Sequence, residues 1–237
     1  MVTARAGMNY DMEYKFICCS DTHGRLPREM SEAGMSAWLH AGDFYDRLRY
    51  SPNRPCPRFM DLRKWYKDRT IPVHMVHGNH DCEDPEGIHG ECGIDGSLVQ
   101  VAPRIFVAGL GWHGEAFYDL PTESDMKKVC LDLLRKATIQ MRKGDHCVLV
   151  THYPAAIQSV YPCPDGGYEG WLFDCVRDVV ENMKPLAVVA GHVHEFFGQG
   201  AKWNDTLLVH PGWVPGVLTI DVDAGKASFE FGDYTAG

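Results

Sequence analysis

Apolar runs of five to seven residues, each closing on small and polar residues, predict strands at Tyr14–Ser20, Ala37–Gly42, Ile71–His77, Asp145–Val150 and Leu186–Ala190. Shorter β runs, Leu98–Ala102 and Arg104–Gly109, flank Pro103. Toward the end, Thr206–His210, Gly216–Asp221 and Ala227–Phe231 read as successive strands joined by tight turns. Helical spacing of Met126, Val129, Leu133 and Leu134 behind an acidic first turn predicts a helix over Thr122–Arg142. Arg58–Arg69 and Trp171–Met183 also read as helices, and Arg28–Gly34 as a shorter helix-like piece. Ser51–Pro57, rich in proline and polar residues, reads as a loop. This alternation of strand and helix, closing with several strands, predicts one α/β domain over residues 1–237 with two sheets covered by helices.

Five polar clusters follow these runs, most of them directly: Asp21-Thr22-His23, Gly42-Asp43-Phe44-Tyr45-Asp46, Gly78-Asn79-His80-Asp81, Thr151-His152 and Gly191-His192-Val193-His194. Ligands of open α/β sheets gather where loops leave the carboxyl ends of strands, so the clusters stand where a site is expected. Asp21, His23, Asp43, Asn79, His152, His192 and His194 offer carboxylate, imidazole and amide oxygen, without thiolate. Calcium or magnesium would take nearly all oxygen, and structural zinc would favour cysteine. Mixed nitrogen and oxygen donors suit manganese, iron or zinc. Seven donors exceed what one such ion can take while keeping open positions, so two divalent ions with one shared ligand fit the count. Two carboxylates leave that centre electropositive, as a phosphate ester requires, and the ions sharpen a shared water into a hydroxide nucleophile.

His80, beside Asn79, is left over as a candidate general acid, with Asp81 next to it to hold the imidazole protonated. His113, in Gly111-Trp112-His113-Gly114, is a candidate substrate contact. His40, His74, His77 and His146, in or beside strands, read as hydrogen-bonded structural residues, and His89 has no assigned role. Trp112, Tyr153, Tyr161 and Tyr168 are candidates to stack on a base.

Composition narrows the classes. The formal net charge of −9 disfavours extended nucleic acid, whose binding is driven by phosphate neutralisation. No apolar stretch approaches the roughly 20 residues that span a bilayer. Met1–Lys15 lacks the apolar core of a signal peptide, and nine cysteines without a C-x-x-C pair argue against a disulfide framework. The expectation is a cytoplasmic protein.

Together the clusters resemble the pattern D-x-H, G-D-x-x-D, G-N-H-[DE], a lone H and G-H-x-H of the calcineurin-like metallophosphoesterase superfamily, from about Tyr14 to Phe231. The resemblance implies a four-layer αββα sandwich of two mixed sheets with a dinuclear metal site at strand ends. It implies Asp21, His23, Asp43 and His194 at one ion and Asp43, Asn79, His152 and His192 at the other, Asp43 bridging. It also implies His80 as general acid paired with Asp81. Among the ions that the mixed donors suit, manganese is the first candidate, with iron or zinc next. Gly42–Arg47 is similar to the G-D-x-x-D-R block of protein phosphatases, which makes Arg47 a candidate phosphate contact. The strand after the last cluster ends in His210-Pro211-Gly212 where many relatives have N-P-G, so a contact made through that Asn has no counterpart. The leading expectation is a metal-dependent phosphodiesterase or phosphatase acting on a small, nucleotide-like ester. A nuclease and a non-catalytic scaffold of the same fold are the competing readings.

Overall fold

Two faces of each central strand are apolar, and this dictates the layering. In β1 (Glu13–Cys19), Phe16 and Cys18 enter one buried cluster while Ile17 and Cys19 enter another. In β6 (His146–Thr151), Val148 and Val150 face the cluster that holds Phe16, and Cys147 and Leu149 face a third. Side chains alternate with period two, so a strand buried on both sides reads as an unbroken apolar run. The computed structural model describes residues 12–45, 57–81, 87–112, 120–157, 159–161 and 171–234.

One sheet has the order β11 (Lys226–Glu230), β10 (Gly216–Asp221), β1, β2 (Ala37–His40), β3 (Val73–Met75). The other runs β4 (Leu98–Ala102), β5 (Ile105–Leu110), β6, β7 (Ala187–Ala190), β9 (Thr206–His210), β8 (Gln199–Trp203). Both are mixed: β1–β2–β3 and β5–β6–β7–β9 are parallel, and the outer pairs β10–β11, β4–β5 and β8–β9 are antiparallel. The sheets pack face to face through Phe16, Leu39, Val107, Val150, Val189 and Leu218. Helices α1 (Pro57–Lys67) and α2 (Ile88–Cys92) cover the outer face of the first sheet, with Leu62, Trp65 and Ile88 buried against Ile17 and Trp38. Helices α3 (Glu123–Gln140) and α4 (Asp174–Met183) cover the second through Met126, Leu133, Val176 and Val180. The result is the expected αββα sandwich.

Most predicted elements are present, with shifted ends. Thr122 caps α3 in a capping box with Asp125, as its sequence position requires. Three differences have physical causes. Arg28–Gly34 is not helical: Glu32 accepts from the Trp38 indole at 2.8 Å and from the Thr70 amide at 2.8 Å, and Gly34 has φ 76°. These tertiary bonds outweigh the propensity of a short segment. Strand β8 reads Gln-Gly-Ala-Lys-Trp, without alternation, because it is an edge that pairs only with β9. Finally, α4 begins at Asp174 rather than Trp171, since Phe173 is held extended by bonds to Pro154 and Ala156. The expected loop at 51–57 lies outside the described residues except Pro57, which opens α1.

Candidate metal centre

Parallel strands β1, β2, β3, β6 and β7 end at one edge of the sandwich, and their loops carry all seven expected donors. Backbone bonds stitch these loops together before any side chain acts: the amides of Asp21 and His23 donate to the carbonyls of Gly42 and Asp43 at 2.9 and 3.0 Å. Asp21, His23 and His194 form one group of potential ligand atoms, His23, Asp43 and His80 a second, and Asp21, Asp43 and His152 a third, each within 4.8 Å. Asp43 Oδ2 stands 3.7 Å from His23 Nε2, 3.5 Å from His152 Nε2 and 4.0 Å from His80 Nε2. Asn79 Oδ1 is 3.0 Å from His152 Nε2, and His194 Nε2 is 3.4 Å from Asp21 Oδ1 and from His23 Nε2. Asp43 therefore sits between the two halves of the cluster.

The backbone is strained here. Seven described non-glycine residues have positive φ, and four of them are Asp21 (50°), His23 (46°), Asp43 (55°) and His192 (69°). Such conformations cost on the order of 1–3 kcal/mol each and persist only where surroundings enforce them. Glycines make room for the crowding. A Cβ on Gly78 would collide with Asp43 Oδ1, and one on Gly42, itself at φ 84°, would lie 2.5 Å from His152 Nδ1. Gly78→Ala is accordingly expected to displace the Asp43 carboxylate and lower bound metal, checked by elemental analysis of folded protein; wild-type metal content would contradict the crowding argument.

Charge and proton placement suit cation binding. Burial alone would raise the Asp21 carboxyl, but its hydrogen bond with His194 and the nearby His152 outweigh this and hold it below the usual carboxylate range. His192 is pushed down to about 3, first by burial and then by its neighbour His152, so the ring is neutral and presents a lone pair. Its Nε2 is buried without a hydrogen-bond partner, while its backbone amide donates to both oxygens of Asp21 at 3.1 and 3.2 Å. His152 is oriented from behind by the Ala41 carbonyl oxygen, 2.9 Å from its Nδ1, which leaves Nε2 directed at Asp43 and Asn79. A ring nitrogen fixed by a backbone carbonyl is the usual support for a ligating histidine. An orphaned imidazole nitrogen and imidazole, carboxylate and amide donors converging on one spot fit divalent cations.

Asp43, Asn79, His80, His192 and His194 line a cleft of about 380 Å³ that is completed by Leu120, Trp171 and Glu195. The backbone amide of His80 donates to Asp43 Oδ1 at 2.8 Å, and its ring meets His23 edge-on at 4.7 Å. Asp81 is fully buried, and its oxygens accept from the Tyr45 amide at 2.8 Å and the Gly78 amide at 2.9 Å. Its Oδ2 also lies 3.6 Å from His89 Nε2, so the carboxylate expected to hold the His80 ring is turned to backbone amides and to His89 instead. His89 in turn stacks on His77 at 3.9 Å, and His77 is bound to Asp95 at 2.5 Å. This row behind the Gly78–His80 loop, buried at Asp81 and His89 and half-buried at His77 and Asp95, was invisible in the sequence, where His89 has no local signal.

His40 bonds Thr22 at 3.2 Å and His146 bonds the Val222 carbonyl at 2.9 Å, as structural histidines. Tyr153 and Tyr161 are not base-stacking groups: both are buried, Tyr153 against His152 and His192, and Tyr161 with its hydroxyl 2.7 Å from His210 Nε2. Trp112 is partly buried against the helix-covered core. The aromatic wall of the cleft is instead Trp171, left outside the helix by the late start of α4 and edge-on to His192 at 5.6 Å. Arg47, His113 and Tyr168 lie outside the described residues.

Residues 14–196 match the family profile described as calcineurin-like phosphoesterase. The chain belongs to this family. Among solved structures, the TT1561 protein of Thermus thermophilus is similar with a TM-score of 0.60 at 14% identity, over 93% of this chain and 99% of that one. A dimetal phosphatase from Danio rerio gives 0.59 at 12% identity, over 93% and 99%. A putative 5'-nucleotidase from Staphylococcus aureus, solved with alpha-ketoglutarate, gives 0.60 at 12% identity over 95% of this chain but 56% of its own. At these identities the likeness shows the fold. No curated protein matches the chain. No helix among the described residues is long and apolar enough to cross a membrane.

Proposed function

We propose that this family member is a dinuclear metal-dependent hydrolase of small phosphoesters. The observation that carries the proposal is the convergence of three overlapping donor groups around Asp21, His23 and Asp43, with Asp43, His80 and His194 lining one cleft. Asp21, His23, Asp43 and His194 would hold one ion and Asp43, Asn79, His152 and His192 the other, with manganese the first candidate and iron or zinc next. Bound there, the ions supply Lewis acidity and a water acidic enough to attack at neutral pH.

The chain's own residues do the rest. His80, on the cleft wall, delivers a proton to the departing ester oxygen. Asp81 serves as a positioning residue: it clamps the Tyr45 and Gly78 amides and, with His89 behind it, fixes the loop from which His80 projects. Leu120 and Trp171 narrow the mouth and limit water. Arg47 and His113 remain proposed substrate contacts, in a protein acting inside the cytoplasm on nucleotide-sized esters. The cleft, about 380 Å³, is near the small end for ligand pockets and suits a small ester over a duplex.

The test is a rate panel on an aryl monoester, an aryl diester and cyclic nucleotides, after exhaustive chelation and after reconstitution with Mn²⁺. Activity lost on chelation and restored by the ion is expected. Full activity in protein shown to be metal-free would sink the proposal.

A further inference from the structure

A second pocket of about 280 Å³ lies beside the metal centre, lined by Thr22, Arg25, Leu26, Arg28, Trp213 and Tyr234, with Val214 and Asp233 completing it. Its lining reaches Thr22, the residue between Asp21 and His23 in the chain. Its composition differs from that of the metal cleft. The Arg25 guanidinium lies 5.9 Å from the Trp213 ring centroid, and among the described residues it has no carboxylate or hydrogen-bond partner. Arg28 is anchored differently, donating to the Asp233 carbonyl at 3.3 Å. Two arginines thus line the pocket, Arg28 bonded to a backbone carbonyl and Arg25 set against Trp213. Trp213 and Leu26 leave apolar surface uncovered there, at 37% and 49% exposure. Tyr234 braces Trp213 edge-on at 5.7 Å, and its hydroxyl donates to the Pro211 carbonyl.

An arginine held over an aromatic ring loses little further freedom when an anion arrives, and its planar fork matches phosphate oxygens. Uncovered apolar surface in the same concavity supplies area for the body of the ligand. We infer that this pocket is a second binding site, for a small organic phosphate whose charged group meets Arg25 and Arg28 and whose apolar portion lies on Leu26 and Trp213. Two sources share that chemistry: the far end of a substrate whose ester occupies the metal cleft, or a separate effector molecule. The inference goes beyond the proposed hydrolysis and does not need it.

The experiment titrates AMP into metal-loaded protein, with adenosine and inorganic phosphate as controls, following tryptophan fluorescence. The same titration in Asp43→Asn protein removes the contribution of the metal centre. AMP is expected to bind in both, with each control at least about tenfold weaker. Arg25→Ala should weaken AMP by about tenfold or more, the scale of one lost charge-assisted contact, with Arg25→Lys intermediate. Trp213→Phe should remove most of the signal. AMP affinity unchanged in Arg25→Ala, or AMP binding lost in Asp43→Asn, would overturn the inference. Kinetics on the native protein then separate the sources. For a substrate subsite, Arg25→Ala lowers kcat/KM for a dinucleotide diester relative to bis-nitrophenyl phosphate. For an effector, AMP changes bis-nitrophenyl phosphate turnover without competing. Protein that binds AMP here yet hydrolyses no ester would defeat the proposed activity and leave this site standing.

Discussion

Asp43→Asn protein is expected to fold, to lose most of its bound metal, and to lose activity with it. The Asp43 side chain is only 3% exposed, and Oδ2 stands 3.5 to 4.0 Å from imidazole nitrogens of His23, His152 and His80. Its other oxygen accepts the His80 amide. An amide keeps the size and can keep that backbone bond, but it carries no negative charge and turns an N–H₂ toward nitrogens that must present lone pairs. The loss in affinity should exceed the roughly 10–100-fold that removal of an outer supporting group costs. Elemental analysis after gel filtration, with circular dichroism as the folding control, measures this. Native metal content in folded Asp43→Asn protein would refute the central place of Asp43.

His80→Gln separates binding from proton delivery. Metal content should stay near native. Turnover of alkyl phosphate esters should fall by about 10²–10⁴-fold, the usual worth of a positioned general acid. Nitrophenyl esters, whose leaving group departs without protonation, should fall far less. The ratio of the two losses is the readout, because a merely structural histidine would depress both alike. Equal losses would refute the general-acid role and leave His80 as a wall of the cleft.

How far the site was legible depends on the kind of information each feature needs. The apolar runs that became β1, β2, β6 and β7 were readable because strands buried on both faces need apolar side chains at every position. The candidate donors were readable because each cluster is local, two to five residues at a strand end. Strand β8 and helix α2 were not, since an edge strand needs no alternation and a helix of five residues no periodicity. The Asp81–His89–His77–Asp95 row and the Arg25–Trp213 pair join residues far apart in the chain, or neighbours whose contact depends on how a loop turns.

From the sequence alone came the layered α/β class and the seven candidate donors, and from the resemblance of their clusters to a known pattern, the family. These follow from local chemistry: hydrophobic patterning selects elements, and strand-end motifs carry their own residues. Only the tertiary structure decided which oxygen of Asp43 faces which histidine, and that Trp171 rather than Tyr153 or Tyr161 walls the cleft. It also decided that Asp21, His23, Asp43 and His192 are held at positive φ. Those outcomes depend on the packing of two sheets, which forces loops from separate strands to share one crowded edge, and no single segment encodes where its neighbours will stand.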